Sequence, residues 1–187
     1  MVLGLLALGE AAAQDRPHML PTRDVDITYR VVRAGQTLDE RVRWRAAEQL
    51  ERVDPPGSVY MIVNHKTRRI DMVNPAGKSV LQLDAPRRDT LEPDSAADYT
   101  KLGETKIAGV SCTEWATTGG AAPEQLCVTP DGVLLRIRES GKTLLEATRV
   151  VYRRLDPETF EVPAKFQMTP PPAAAPPPPG MGAIVPE

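Results

Sequence analysis

Few residues in this chain of 187 carry side chains suited to catalysis or metal binding. It has two cysteines, two histidines and only 4% aromatic residues. A structural zinc site needs four ligands, and His18 and His65 lie far in sequence from both cysteines. Nucleophilic catalysis needs a nucleophile beside a positioned base, and no such pair emerges from the sequence. We therefore expect neither an enzyme nor a protein that holds a metal or cofactor, and a hydrolase is the weakest of the functions considered.

The chain also lacks an excess of charge of either sign. Lys and Arg number 23 and Asp and Glu number 25, so the net charge is -2. Nucleic-acid binding needs a strongly basic surface, and we do not expect it here. Arginines do cluster at Arg41, Arg43 and Arg45 and at Arg68 and Arg69. That pattern favours a solvated strand face over a ligand patch.

No apolar run is long enough to cross a bilayer, so we expect no integral membrane span. The run Val2–Leu8 is followed by three alanines at 11–13, small residues typical of a signal-peptidase site. We interpret residues 1–13 as a signal peptide cleaved between Ala13 and Gln14. The expected mature protein is periplasmic or secreted, bacterial, and soluble after signal removal.

The rest of the chain is long enough for one folded domain with two tails. We expect a flexible N-terminal segment at 14–23, an antiparallel β domain at 24–168 and a Pro-rich disordered tail at 169–187. The tail contains runs of three and four prolines. Proline lacks a backbone donor, so such a segment samples extended polyproline II and forms no core.

Alternation of apolar and polar residues dominates the central region. In Asp24–Arg33, apolar residues at 25, 27, 29 and 31 predict a strand with one buried face. Arg41–Ala46 alternates too, although an apolar repeat at 38, 42, 46 and 50 leaves a helix open there. Ser58–Asn64 is apolar on both faces, which is typical of a central strand. Further strands are predicted at 69–73, 78–84, 99–107, 110–117, 125–129, 133–138 and 143–155, separated by turn residues.

These segments predict a mainly β protein, a curved antiparallel sheet or open half-barrel of roughly nine to eleven strands with little helix.

The spacing of Cys112 and Cys127 excludes the close CxxC pattern of redox motifs and zinc knuckles. A hairpin centred on Gly119-Gly120 would place the two cysteines directly opposite each other, within disulfide reach. Pro123 leaves open a longer loop, which would shift this register. In an oxidising compartment, a structural disulfide is the favoured interpretation. The hairpin puts residues 115, 126 and 128 on the face away from the cysteines.

Four stretches carry a resemblance to a known family. They are YMIVNHKTRRIDMVNPAGKSVLQL, LGETKIAGVSCTEW, LCVTPDGVLLRI and DPETFEVPAKFQM. Together they resemble an uncharacterised family of secreted bacterial proteins whose architecture is similar to the lipoprotein-carrier (LolA/LolB-like) half-barrel. The resemblance implies an antiparallel half-barrel around an apolar concavity. The chain departs from the carriers in having little helical periodicity between its strands, which puts a helical lid in doubt.

The function that the resemblance implies is non-catalytic binding of an apolar or lipid-like ligand in the cell envelope. Candidate lining residues are the bulky side chains on predicted strands, Tyr29, Trp44, Tyr60, Met61, Ile62, Met72 and Trp115. Core packing explains the same side chains equally well. The alternative function is an envelope protein-protein interaction or structural module whose Pro-rich tail acts as a spacer.

Overall fold

The computed structural model describes residues 16–85, 96–120 and 124–169. In these ranges the chain forms one twelve-stranded sheet and a short 3₁₀ helix, Pro157–Phe160. The strands are Val25–Arg33 (β1), Gln36–Arg45 (β2), Leu50–Asp54 (β3), Tyr60–Asn64 (β4), Arg69–Asn74 (β5), Ser79–Asp84 (β6), Asp98–Ile107 (β7), Val110–Thr118 (β8), Gln125–Val128 (β9), Leu134–Glu139 (β10), Lys142–Tyr152 (β11) and Gln167–Thr169 (β12). The expected signal peptide at 1–13, with its cleavage site at Ala13 and Gln14, and tail residues 170–187 lie outside the described residues.

The strand order across the sheet is β12-β6-β5-β4-β3-β2-β1-β11-β10-β9-β8-β7. All neighbours are antiparallel except β12, which runs parallel to β6. The mainly β prediction is confirmed, but the count of nine to eleven strands is wrong because there are twelve. Strands β3 and β12 were not predicted. The first, LERVD, is short and mostly polar, and the second is three exposed residues that pair only because the chain returns to the sheet edge.

Three hairpins close through two-residue turns in which both residues have positive φ. These turns are Ala34-Gly35, Ala108-Gly109 and Ser140-Gly141. This is the type I′ geometry, whose twist matches that of the flanking strands. The turn at 34–35 also decides between strand and helix for 41–46, because it brings residue 36 directly back onto β1. Residues 41–45 belong to the long strand β2, and Ala46 begins the next turn.

The sheet is open and strongly curved. Some Cα atoms of β7 come within 8 Å of β11, although three strands lie between them in the sheet. Four strand spacings in a flat sheet would separate them by about 19 Å. The curl therefore buries part of the sheet against itself without closing a barrel.

Side chains of β1–β6 alternate between two faces, which we name after Val25 and Asp26 at the start of β1. The Val25 face of β1 and β2 carries Ile27, Tyr29 and Trp44, and all are buried in the largest core cluster. The Asp26 face of β4–β6 holds a separate buried cluster of Ile62, Val73 and Val80. A third cluster joins β7, β8 and β9 around Tyr99, Trp115, Leu126 and Val128.

Residues 16–23, expected to be flexible, pack against the sheet. Met19 is buried against the third cluster, and the Nε1 of Trp44 donates a hydrogen bond of 2.7 Å to the carbonyl of Pro21. The chain approaches so closely that a Cβ on Gly132 would lie 2.5 Å from the carbonyl oxygen of Leu20. The alternation rules that located the strands give no signal for this segment, because its contacts are made by single residues with distant parts of the chain.

After β11 the chain crosses the sheet and covers part of the Asp26 face. The backbone N–H of Leu155 donates to a carboxylate oxygen of Asp24 at 3.0 Å, and Phe160 is buried at the end of the 3₁₀ helix. Val162 and Phe166 then pack on the Ile62 cluster before β12 joins the edge of β6. Thr169, assigned from the sequence to the tail, is the last residue of that strand.

Cys112 and Cys127 form a disulfide with a Cα–Cα distance of 5.5 Å, as predicted. The predicted register is wrong, however. Cys127 pairs with Glu114, two residues along from Cys112, so the cysteines are diagonal neighbours on one face of the hairpin. The loop is longer than the Gly119-Gly120 turn, as Pro123 indicated, and residues 121–123 lie outside the described ones. A register shift of two residues leaves both cysteine side chains on the same face of the hairpin, and the bridge still forms for that reason.

Candidate functional site

The candidate site is a partly exposed apolar surface on the Val25 face of β4, β5 and β6. Two rows of paired residues run across the three strands. Met61, Met72 and Leu81 form one row, and Val63, Ile70 and Leu83 form the other. All six side chains are partly exposed, and none belongs to a core cluster of the described residues. We call these six residues the apolar face.

The opposite side of the same three strands is covered at its centre. Ile62, Val73 and Val80 are between 0% and 4% exposed because Val162 and Phe166 lie on them. Polar residues around this cluster, such as Asp71 and Arg69, are partly exposed or exposed. The strands thus carry apolar side chains on both faces, but the C-terminal segment buries only the cluster on the Asp26 face. Partly exposed apolar rows of this kind mark binding surfaces more often than single exposed side chains do.

The lining residues predicted from the sequence do not come together. Tyr29, Trp44 and Met72 lie on the Val25 face, whereas Tyr60 and Ile62 lie on the Asp26 face. Trp115 belongs to the third cluster.

Of the predicted set only Met61 and Met72 lie in the apolar face. The other four members, Val63, Ile70, Leu81 and Leu83, were not predicted from the sequence. Their signal was present as matched alternation in three consecutive strands joined by tight turns.

Tyr29 and Trp44 are core residues whose polar atoms are satisfied inside the protein. The hydroxyl of Tyr29 donates to the carbonyl of Leu134 at 2.7 Å. Burial, with a smaller contribution from the negative charge of Glu51, raises the pKa of Tyr29 far above its usual value. A phenol held in this way supports packing and is not a general acid at neutral pH.

His65, the one histidine within the predicted sheet, holds β3 and β4 together. Its Nε2 lies 2.8 Å from a carboxylate oxygen of Glu51, and its ring centroid lies 5.1 Å from that of Trp44. Its side chain is only 8% exposed. This environment is that of a satisfied structural histidine, with little access for a substrate.

Asp131, in the turn between β9 and β10, fixes the N-terminal segment. Its carboxylate accepts hydrogen bonds from Arg23 at 3.1 Å, from Thr129 at 2.7 Å and from Tyr152 at 3.0 Å. Burial opposes its ionisation, but these three donors together lower the pKa of Asp131. The guanidinium of Arg23 also lies over the ring of Tyr152 at 4.0 Å. The Thr-Pro-Asp-Gly turn at 129–132 therefore anchors the N-terminal segment to the sheet.

The Asp26 face of β1–β3 carries charged side chains where β4–β6 carries apolar ones. Asp26, 1% exposed, accepts two hydrogen bonds from Arg41 and one from Arg153. The hydrogen bonds from Arg41, with a smaller contribution from Arg153, lower the pKa of Asp26 to about 2 against the opposing effect of burial. Beside this triad, Asp54 pairs with Arg43 and Arg52.

Other features of the described residues offer little for ligand chemistry. A shallow groove of about 550 Å³ lies between residues 18–24 and the β2–β3 turn at 46–49. Its lining includes His18, Leu20, Arg23 and Gln49, together with the alanines at 46 and 47. Across residues 16–85, 96–120 and 124–169, no group of three His, Cys, Asp or Glu side chains is placed to hold a metal ion. Nor does that part of the chain contain a helix long and apolar enough to cross a membrane.

A sequence model of a domain of unknown function, DUF4412, matches residues 38–135. The chain belongs to this family. The match runs from β2 into β10 and includes the apolar face and both cysteines. It confirms the resemblance to an uncharacterised family, and the open curved sheet fits the LolA-like architecture expected from it. No curated protein matches the sequence of this DUF4412 member.

Solved structures show the same fold at low sequence identity. An uncharacterised conserved protein from Thermus thermophilus has a TM-score of 0.56 at 16% identity, covering 80% of this chain and 91% of its own. MucB has a TM-score of 0.56 at 15% identity, covering 80% of this chain. The Pseudomonas aeruginosa MucA/MucB complex scores 0.55 at 14% identity, covering 78% of this chain and 58% of the matched one. The DUF4412 chain spans 61% of MucB, and the likeness extends to the fold alone.

Proposed function

We propose that this DUF4412 protein is a non-catalytic binding domain of the bacterial cell envelope, and that its apolar face holds an apolar or lipid-like molecule. The observation that carries the proposal is the contrast between the two sides of β4–β6. The C-terminal segment covers the apolar cluster at the centre of one side, and the other side leaves six apolar side chains partly exposed in two continuous rows. Export through a signal peptide at residues 1–13 is part of the same proposal.

The composition of the apolar face favours a flexible aliphatic ligand. It contains only aliphatic and methionine side chains, with Met61 and Met72 directly paired at its centre. Methionine adapts its shape to irregular apolar partners, and the face offers no ring for stacking. Each ligand methylene buried there would contribute about 0.8 kcal/mol, so burial of half of a long acyl chain would contribute about 6 kcal/mol before the entropic cost of binding.

The surroundings of the titratable groups support a non-catalytic role. Asp26, Asp131 and His65 each have close partners inside the protein, and these contacts join strands or fasten the terminal segments. None of the three forms a nucleophile-base pair beside the apolar face. We therefore expect this surface to bind its ligand by burying apolar area.

Protein binding is the second candidate, and one specific observation favours it. MucB, which shares the fold, has been crystallised in complex with MucA(peri). The same apolar face would then receive a protein segment, with the Pro-rich tail at 169–187 acting as a spacer.

A native mass spectrum of the exported protein, purified from periplasm without detergent, tests the lipid proposal. We expect a stoichiometric lipid-sized adduct that organic extraction removes. The double variant Met61→Gln/Met72→Gln should lose it, while the control Leu102→Gln, at an exposed leucine on β7, should keep it. The absence of any adduct, together with no thermal shift on adding fatty acids or phospholipids, would overturn the proposal.

A photo-crosslinking residue at position 83 separates the two candidates, because it reports the occupant of the apolar face in cells. A lipid-sized mass increase supports the lipid proposal. A defined protein adduct that disappears in the Met61→Gln/Met72→Gln background supports protein binding, and the same crosslinker at position 102 shows the background level.

A further inference from the structure

Five arginines gather on the Asp26 face at the centre of the sheet, around two carboxylates. Arg149, Thr28, Arg41 and Asp54 form one row of paired residues, and Asp26, Arg43 and Arg52 form the next. Arg153 follows β11 and reaches Asp26 from the side. This region has a local excess of positive charge in a chain whose net charge is -2. We call Arg41, Arg149 and Arg153 the arginine patch.

Asp26 brings two of these guanidiniums close together. The Nη2 atoms of Arg41 and Arg153 each lie 2.6 Å from the same carboxylate oxygen of Asp26. They are therefore within about 5 Å of each other, a separation that the oxygens of a single tetrahedral anion can bridge. The carboxylate is 1% exposed, whereas the side chains of Arg41 and Arg153 are 43% and 52% exposed. The carboxylate of Asp26 therefore lies beneath the surface. The N–H groups of both guanidiniums that do not bond to it remain at the surface.

Arg149 adds a third cation that no carboxylate neutralises among the described residues. It is exposed, it pairs in register with Thr28, and its side chain makes no hydrogen bond or ion pair within the described ranges. Arg41 lies on the other side of Thr28 in the same row. Cross-strand neighbours of this kind are about 5 Å apart at their Cβ atoms, so Arg149 and Arg41 border one small polar surface.

We propose that the arginine patch is a binding site for phosphate-type oxyanions, either free phosphate or a phosphate-bearing headgroup. Guanidinium groups present paired N–H donors that match the oxygens of phosphate, and Asp26 holds two of them in position before a ligand arrives. The sequence pattern at Arg41, Arg43 and Arg45 favoured a solvated strand face. The tertiary structure adds Arg149 and Arg153 from β11 and its extension, which no local pattern reveals.

The experiment follows the arginine Nε–H signals by NMR while inorganic phosphate is added at low salt, and then measures flotation with phosphatidylglycerol vesicles against phosphatidylcholine vesicles. We expect phosphate to shift the signals of Arg41 and Arg153. Arg41→Gln/Arg149→Gln should weaken binding at least tenfold, and Arg149→Gln alone should weaken it several-fold without affecting folding. The matched control is Arg33→Gln, which removes one positive charge from the same sheet on β1, away from the patch.

The outcomes distinguish the two sources of the anion and also test the proposal itself. Phosphate binding without flotation identifies a free oxyanion, and flotation with phosphatidylglycerol that Arg149→Gln reduces identifies a headgroup. Arg41→Lys/Arg153→Lys keeps the charge and should still lose affinity, because lysine cannot reproduce the paired donors. Absence of both responses, or equal losses in Arg33→Gln and Arg149→Gln, would overturn the proposal.

Discussion

Replacing Asp26 with asparagine should remove a buried carboxylate whose hydrogen bonds with Arg41 and Arg153 stabilise the fold. Its pKa is lowered from 3.8 to about 2 by Arg41 and Arg153. A shift of this size corresponds to about 2.5 kcal/mol of folding free energy, since each pKa unit is worth about 1.36 kcal/mol. The two arginines are half exposed and can be hydrated when the carboxylate is lost, so we expect a cost of about 2–3 kcal/mol and not the larger penalty of a stranded buried charge.

The pH dependence gives a sharper test because its sign is fixed. The native pKa lies below the unfolded one, so the stabilisation is complete above about pH 5 and is lost as the pH falls towards 2. For pKa values of 3.8 and about 2, roughly half of the contribution remains at pH 3. The free-energy difference between wild type and Asp26→Asn should therefore shrink in that range.

Urea unfolding without reductant, followed by circular dichroism from pH 7 to pH 3, measures this difference. The control is Asp39→Asn, an exposed carboxylate on β2, which should change the free energy of unfolding by less than about 0.5 kcal/mol. An Asp26→Asn cost below about 1 kcal/mol at pH 7, or one that stays constant down to pH 3, would refute the reasoning.

Two further predictions concern the disulfide and the C-terminal segment. Reduction, or the double variant Cys112→Ala/Cys127→Ala, should lower the free energy of unfolding by about 3 kcal/mol, because the bridge closes a loop of about sixteen residues. Equal urea midpoints with and without reductant would contradict this prediction. Phe160→Ala should lower the free energy of unfolding by about 3–4 kcal/mol, because it leaves a cavity at a buried site in the crossing segment. Met168→Ala, at a residue 49% exposed on β12, should lower it by less than about 0.5 kcal/mol. Thermal melts compare the two variants, and similar midpoints would show that the segment is not firmly packed.

The elements that the sequence predicted well are those set by local chemistry. Strand β1 follows from the alternation of apolar and polar residues over 24–31, and the β7–β8 turn follows from Ala108-Gly109. The cysteine pair was predicted because its spacing left few alternatives. Strand β3 was missed because it is short and mostly polar, so its five residues show no clear alternation.

Local sequence patterns did not predict which residues form the candidate site. Tyr60, Ile62 and Met72 were chosen as bulky residues on strands, yet of these three only Met72 lies in the apolar face. Alternation predicts which residues share a side of a strand, but it cannot say which side the C-terminal segment will cover. That depends on Val162 and Phe166, which lie far along the chain from β4–β6.

The sequence by itself determined the β class, the hairpin turns and the pairing of the two cysteines, because each depends on the conformational preferences and spacing of residues close together in the chain. Only the tertiary structure decided that the C-terminal segment covers the apolar cluster on one face of β4–β6 and leaves the apolar face on the other side partly exposed, and that Arg149 and Arg153 join Arg41 around Asp26. These arrangements arise from packing between distant segments, where burial and charge pairing at each contact depend on the whole curved sheet.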